Sequence, residues 1–206
     1  MNVQTLFTRV RIACARVALI SVAAGLLASC SLFETRDPEP PFTGSSTFVP
    51  PTSPELVLEN LKSAVSERNE TNYIRCMPDT LSTGRSFLFL PTASAAARYA
   101  SVFSSWSLAS EKAYFSALVA LTPAASTSVL SLNGNFQLLG SDSAVYQGDY
   151  QLVCPHGVGG IAETVRGSLQ FVLASDRTSF WSIVRWIDSP IGNEASWSEL
   201  KGRFAN

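Results

Sequence analysis

The chain has 206 residues, of which 46 % are hydrophobic and 15 % charged, and its formal net charge is −1. That composition excludes a disordered acidic or basic chain, and the near-neutral balance excludes nucleic-acid binding by bulk electrostatics. One histidine excludes a multi-histidine metal site, and four cysteines are too few for a disulfide-dense miniprotein of this length.

The first 29 residues carry Arg9, Arg11 and Arg16 and no acidic side chain; every acid lies at Glu34 or later. Residues 30–206 hold twelve basic and sixteen acidic side chains, a net of −4. The apolar run from Val17 to Leu27 is shorter than the roughly 20 residues a bilayer-spanning helix needs. A cationic start, a short apolar core and small residues at its exit predict a secretory signal over residues 1–29. An ordinary membrane helix fits less well, because the run is short and a polar, proline-bearing stretch follows it.

Directly after the apolar run stands Leu27-Ala28-Ser29-Cys30. The tetrapeptide resembles the bacterial lipobox, an aliphatic residue, two small residues and a cysteine that mark a lipoprotein cleavage site. The resemblance implies cleavage between Ser29 and Cys30. Cys30 then becomes the first mature residue, its thiol carrying a diacylglyceryl group and its amine an acyl chain. Three chains anchor a protein firmly, whereas one binds only marginally. Ser31 follows where an Asp would favour retention in the inner membrane of enteric-type bacteria. The expected location is therefore the cell envelope, at the periplasmic face of the outer membrane.

Residues 30–53 contain Pro38, Pro40, Pro41, Pro50 and Pro51, with Gly44 and a Ser/Thr cluster between them. No apolar period persists, and proline favours extended chain without ladder donors. The stretch reads as a tether; the alternative is a loop packed on the domain through Phe42, Phe48 and Val49. A domain over residues 54–206 is large enough for one core.

Ser53-Pro54-Glu55 predicts a helix start, with Val57, Leu58, Leu61, Ala64 and Val65 at helical spacing. A short second helix is expected over residues 71–77, ended by Pro78, and a strand over 86–90. An alanine-rich helix is expected over 95–106. Another opens at Ser110-Glu111, carries Ala113, Tyr114, Ala117, Leu118 and Leu121 on one stripe, and stops at Pro123. The period then changes to two. Leu130 to Leu138, Tyr146 to Cys154 and Val165 to Leu173 alternate, and Phe180 to Ile187 is apolar on both faces. Successive strands joined by short turns predict an antiparallel meander, and helices followed by strands predict an α+β domain.

This order resembles the NTF2-like (SnoaL-like, cystatin-like) superfamily. The likeness is carried by Leu58-Glu59-Asn60-Leu61 through Asn72-Tyr73, Phe87-Leu88-Phe89 with Pro91, and Glu111 with Tyr114-Phe115. Trp181 to Asp188 and Ser196-Trp197-Ser198-Glu199-Leu200-Lys201 complete it. The resemblance implies a cone of N-terminal helices packed on a curved antiparallel sheet, able to hold an apolar ligand. Its members include enzymes, carriers and adaptors, so the fold alone does not assign function.

His156 lies in the turn Pro155-His156-Gly157, where a histidine is expected to be solvated. Enzymes of the resembled superfamily pair an Asp with a His or Tyr inside the cone, which points to Asp188 and Tyr146 as polar candidates; Asp149 lies on the polar face of its strand. Asp188 could serve as a general base if burial raised its pKa; its structural alternatives are capping the turn before Pro190 or pairing with Arg185. Cys76 and Cys154 could form a disulfide in an oxidising compartment or stand as separate buried thiols. Trp106, Trp181, Trp186 and Trp197 read as core or as ligand-stacking surface. No nucleophile motif, phosphate loop or metal-ligand spacing is present, and no cofactor is expected. The sequence therefore points to a lipid-anchored, non-enzymatic binding or assembly module, whose partner is an envelope protein or an apolar small ligand. The alternative is a small-molecule carrier or enzyme that uses the cone. A cone filled by its own Trp and Phe side chains favours the first; a deep cone with a buried, convergent Asp favours the second.

Overall fold

The computed structural model describes residues 47–205. The signal, Ser29, the lipobox Cys30 and the tether up to residue 46 lie outside the described residues.

Helix α1 (Pro54–Glu67) begins with proline at its first position and an acid in its first turn, and buries Val57, Leu58, Leu61, Ala64 and Val65. It ends at Arg68, whose φ of 54° turns the chain back so that its N–H meets the Ala64 and Val65 carbonyls. The Arg68 guanidinium then donates to the carbonyls of Thr122, Pro123 and Ala124. These lie at the end of α6 (Leu108–Leu121), where a cation opposes the negative end of the helix dipole.

Helix α2 (Glu70–Ile74), capped by Asn69, is shorter than the expected 71–77 segment. Helix α3 (Thr80–Thr83) follows Pro78 and stops at Gly84. The helix expected over 95–106 is broken into α4 (Ala93–Arg98) and α5 (Ala100–Phe103) at Tyr99, whose backbone leaves the helical region. The Tyr99 ring covers Gly202, where an added Cβ would come within 2.3 Å of Cδ2. This contact, distant in sequence, overrides the helical preference of the alanine run. Helix α6 starts earlier than Ser110 because Ser107 and Ser110 form a reciprocal capping box.

The sheet has the order β1-β5-β4-β3-β2, with β1 (Leu88–Leu90), β2 (Val129–Leu138), β3 (Ser143–Val153), β4 (Thr164–Ser175) and β5 (Trp181–Pro190). The last four strands form the expected meander. Strand β1 pairs parallel with β5, a departure from an all-antiparallel sheet. Two features curve the sheet. Gly134 faces Gly148, and a Cβ on Gly134 would lie 2.2 Å from the Gln147 carbonyl oxygen, so the strands close up where neither has a side chain. A bulge opposite Val172 and Leu173 changes the phase of β5, so that Trp181, Ile183, Trp186 and Asp188 are buried although the segment reads as apolar on both faces.

Helix α7 (Trp197–Phe204), capped by the Ser196 side chain, closes the domain. The core lies between the helices and the sheet, with Tyr73 stacked on Phe115 at 3.9 Å between ring centroids. Residues 47–53, read from sequence as the end of the tether, lie against this body. Val49 exchanges hydrogen bonds with the buried Asn60 amide at 2.9 and 2.7 Å. Thr47 donates to Glu67, and Pro51 accepts from the Trp181 N–H at 2.7 Å. Among the described residues no helix is long and apolar enough to cross a membrane.

Candidate functional site

Two buried polar clusters meet at α7, in the space between sheet and helices. The first centres on Glu111, one turn before Tyr114 and Phe115 on the inward stripe of α6. Glu111 and Lys201 are both fully buried. The Lys201 ammonium lies 2.7 and 2.8 Å from the two Glu111 carboxylate oxygens. Tyr73 donates its hydroxyl to the same carboxylate at 2.7 Å, and the Trp106 indole N–H donates at 2.9 Å.

Five aromatic rings surround the ammonium. Its nitrogen is 3.5 Å from the Trp186 ring centroid and 3.8 Å from that of Phe89. The Trp106, Tyr114 and Trp197 centroids lie at 5.7, 5.7 and 5.9 Å. Ring quadrupoles and a carboxylate thus take the place of the water that a lysine normally keeps. Burial pushes the Lys201 pKa down to about 8, against the pull of Glu111.

The second cluster centres on Asp188. One of its oxygens accepts from the Tyr150 hydroxyl at 2.8 Å. The other accepts from the Ser198 N–H at 2.7 Å and from the Ser198 hydroxyl. Tyr150 in turn accepts from the Trp197 N–H at 2.7 Å, and Ser198 accepts from the Thr92 N–H at 3.0 Å. Asp188 and Tyr150 between them therefore satisfy the first two amides of α7 and tie that helix to the sheet. It neither caps the turn before Pro190 nor pairs with Arg185. Burial raises its pKa, while bonds from Ser198 and Tyr150 and the charge of Lys201 pull the other way.

Four donor contacts from the chain itself engage the Glu111 carboxylate, and three engage that of Asp188. A general base must reach a substrate proton, whereas both oxygens of each carboxylate already accept from the chain's own donors. The interior beside them is occupied by Trp186, Trp197, Tyr114 and Phe171, each no more than 1 % exposed. The Trp186 indole N–H has no acceptor among the described residues.

The remaining candidates are dispersed. Tyr146 is buried between Phe136 and Phe171, at centroid distances of 5.0 and 6.3 Å. The hydroxyl that bonds Asp188 belongs to Tyr150, four residues further along β3. Asp149 is exposed beside a surface groove of about 400 Å³ with Gln151 and Arg166. His156 is not solvated: only 3 % exposed, its ring packs edge-on against Phe204. Its Nδ1 lies 3.1 Å from the Val158 N–H, and its Nε2 lies 3.4 Å from the Ala162 carbonyl oxygen.

Cys76 and Cys154 are both free and buried. The Cys76 carbonyl accepts from Ile183, which is in register with Leu173 and, beyond it, Ala144. Cys154 lies past the other end of β3, on the order of 30 Å of strand away, whereas bridged Cα atoms stand about 6 Å apart. Burial pushes the Cys154 thiol up to about 11 and raises that of Cys76 further. Trp181 lines a second surface groove, of about 320 Å³, with Phe48, Met77 and Phe180.

The Glu111–Lys201 pair is not anticipated from the sequence as a site. Its signal is positional: Glu111 shares the stripe of Tyr114, Phe115 and Leu118, and Lys201 that of Trp197, Leu200 and Phe204. A charge on an apolar stripe marks a buried partner.

No protein-family model matches the sequence, and no curated protein matches it. Solved structures do share the fold. A protein of the NTF2-like family from Streptomyces avermitilis, proposed to be a dehydratase, superposes with a TM-score of 0.50 at 10 % identity, over 67 % of this chain and 93 % of its own. The domain has an NTF2-like fold. A protein from Novosphingobium aromaticivorans, proposed to be an aromatic ring hydroxylase, gives a TM-score of 0.49 at 14 % identity over 71 % of this chain and 92 % of its own. An NTF2-like superfamily protein from Salmonella enterica gives 0.44 at 14 % identity over 66 % and 88 %. At these identities the NTF2-like likeness concerns the fold and not the chemistry.

Proposed function

We propose that this chain is a lipid-anchored protein of the bacterial cell envelope whose NTF2-like domain is a non-enzymatic binding or assembly module. The observation that carries the module reading is the filled cone. Lys201 and Trp197, brought in on α7, fill the interior between sheet and helices, and the Glu111 and Asp188 carboxylates are engaged by the chain's own donors. Recognition then falls to the outer surface, toward an envelope protein. The anchor reading rests on Leu27-Ala28-Ser29-Cys30 after the apolar run, with Cys30 acylated at the periplasmic face of the outer membrane.

The alternative, a small-molecule carrier or enzyme that uses the cone, draws on the convergence of Tyr150 and Ser198 on a buried Asp188. Two measurements on the full chain test the proposal. Metabolic labelling with palmitate is expected to mark the wild type and to vanish in Cys30→Ser; an unlabelled wild type contradicts the anchor. Titration with an apolar fluorescent probe is expected to leave Trp186 and Trp197 emission unchanged. Saturable 1:1 binding that alters this emission contradicts a filled cone and supports the carrier.

A further inference from the structure

The two edges of the sheet are treated differently. Along β5 the outer edge is covered in succession: the Trp181 N–H donates to Pro51, the Ile183 N–H to Cys76, and β1 pairs from Arg185 to Ile187. The opposite edge is β2, which pairs only with β3 among the described residues. Exposed edges in native proteins are kept from pairing by shortness, charge, proline or a bulge. Strand β2 has none of these. It is ten residues long, Val129-Leu130-Ser131-Leu132-Asn133-Gly134-Asn135-Phe136-Gln137-Leu138, without a charged residue or proline, and its register with β3 is unbroken.

We infer that the free edge of β2 is an interaction surface for β2 of a second copy of this chain, paired antiparallel about a two-fold axis through Gly134. Hydrogen-bond phase and sequence symmetry both support this occupant. The Leu139 N–H donates to the Ser143 carbonyl. Alternation along an antiparallel ladder then directs the odd-numbered residues of β2 toward β3. The even-numbered ones, from Leu130 to Leu138, turn their N–H and C=O groups outward. A two-fold axis at Gly134 sets these outward groups against one another.

The same axis matches the side chains. Asn133 faces the partner's Asn135, and Leu132 faces the partner's Phe136. Ser131 faces the partner's Gln137, Leu130 the partner's Leu138, and Val129 the partner's Leu139. Apolar meets apolar and polar meets polar at every position, and no like charges oppose. Such cross-strand pairs are the units that stabilise a sheet. The pairing also covers exposed apolar residues at the two ends of the strand, Val129, Leu138 and Leu139, which are 46, 66 and 58 % exposed.

This inference names the partner for the assembly reading and rests on that reading. Its test is the mass of the full chain, extracted in mild detergent, by sedimentation over a range of concentrations. Asn133 and Asn135 are exposed, so N133K/N135K sets like charges across the axis without touching the core, while N133K/N135D sets opposite charges there. Wild type and N133K/N135D are expected to dimerise, and N133K/N135K to dimerise at least about tenfold more weakly. A wild type that stays monomeric overturns the inference, as does equal dimerisation of N133K/N135K. A monomeric wild type that co-purifies with a different protein removes the second copy and leaves the assembly reading in place.

Discussion

Lys201 holds an ammonium where water does not reach it, in contact with Glu111 and boxed by aromatic rings. A buried pair of this kind contributes little net stability beside a well-packed apolar pair, but loss of one partner leaves the other charge stranded. Lys201→Met is therefore expected to destabilise the fold by about 3–5 kcal/mol, and Glu111→Gln added to it is expected to recover much of the loss, as measured by urea unfolding. The pH dependence has a definite sign. The folded value of about 8 lies below the ordinary 10.5, so between these two values the unfolded chain holds more protons at this position. The Lys201 contribution to stability therefore rises with pH across that window. Wild type is expected to gain on Lys201→Met from pH 8 to 10.5; a difference flat with pH contradicts the burial of the ammonium.

At the scale of elements, residue periodicity is informative where local chemistry decides. Ser53-Pro54 marks the start of α1, and alternation marks β2 to β4 within a few residues. It is silent where a distant contact decides. Tyr99 interrupts the alanine run because its ring lies on Gly202, and β1 is parallel because it completes an edge that Pro51 and Cys76 begin. Nor does periodicity reveal that Gly134 and Gly148 face each other, since that needs the register. Gly134→Ala would place a Cβ against the Gln147 carbonyl. Backbone cannot yield there as a flexible side chain does, so the substitution is expected to cost about 1–3 kcal/mol in urea unfolding, and Gly148→Ala a similar amount. A neutral outcome for both contradicts the account of the curvature.

For the whole molecule, the NTF2-like class follows from the order of helices and strands, and the structure bears it out. The site is less legible. The residue types that the cone needs, an inward Asp and a tyrosine, are visible in sequence, but their pairing is not: Tyr150 and Tyr146 share one face of β3, and only the position of α7 selects Tyr150. The stretch from Ser196 to Phe204 has too few apolar residues to advertise that it closes the cone, yet it supplies Trp197, Ser198 and Lys201 to the interior. The proposed function depends on that closure. It is tested most directly by a nitrogen-15 spectrum of the lysine side-chain ammonium groups in the full chain near pH 6. Exposed lysines exchange their protons too fast to be seen there. One protected ammonium signal is expected, shifted upfield by the Phe89 and Trp186 rings and absent in Lys201→Met. A wild-type spectrum without that signal would contradict a cone filled by its own lysine.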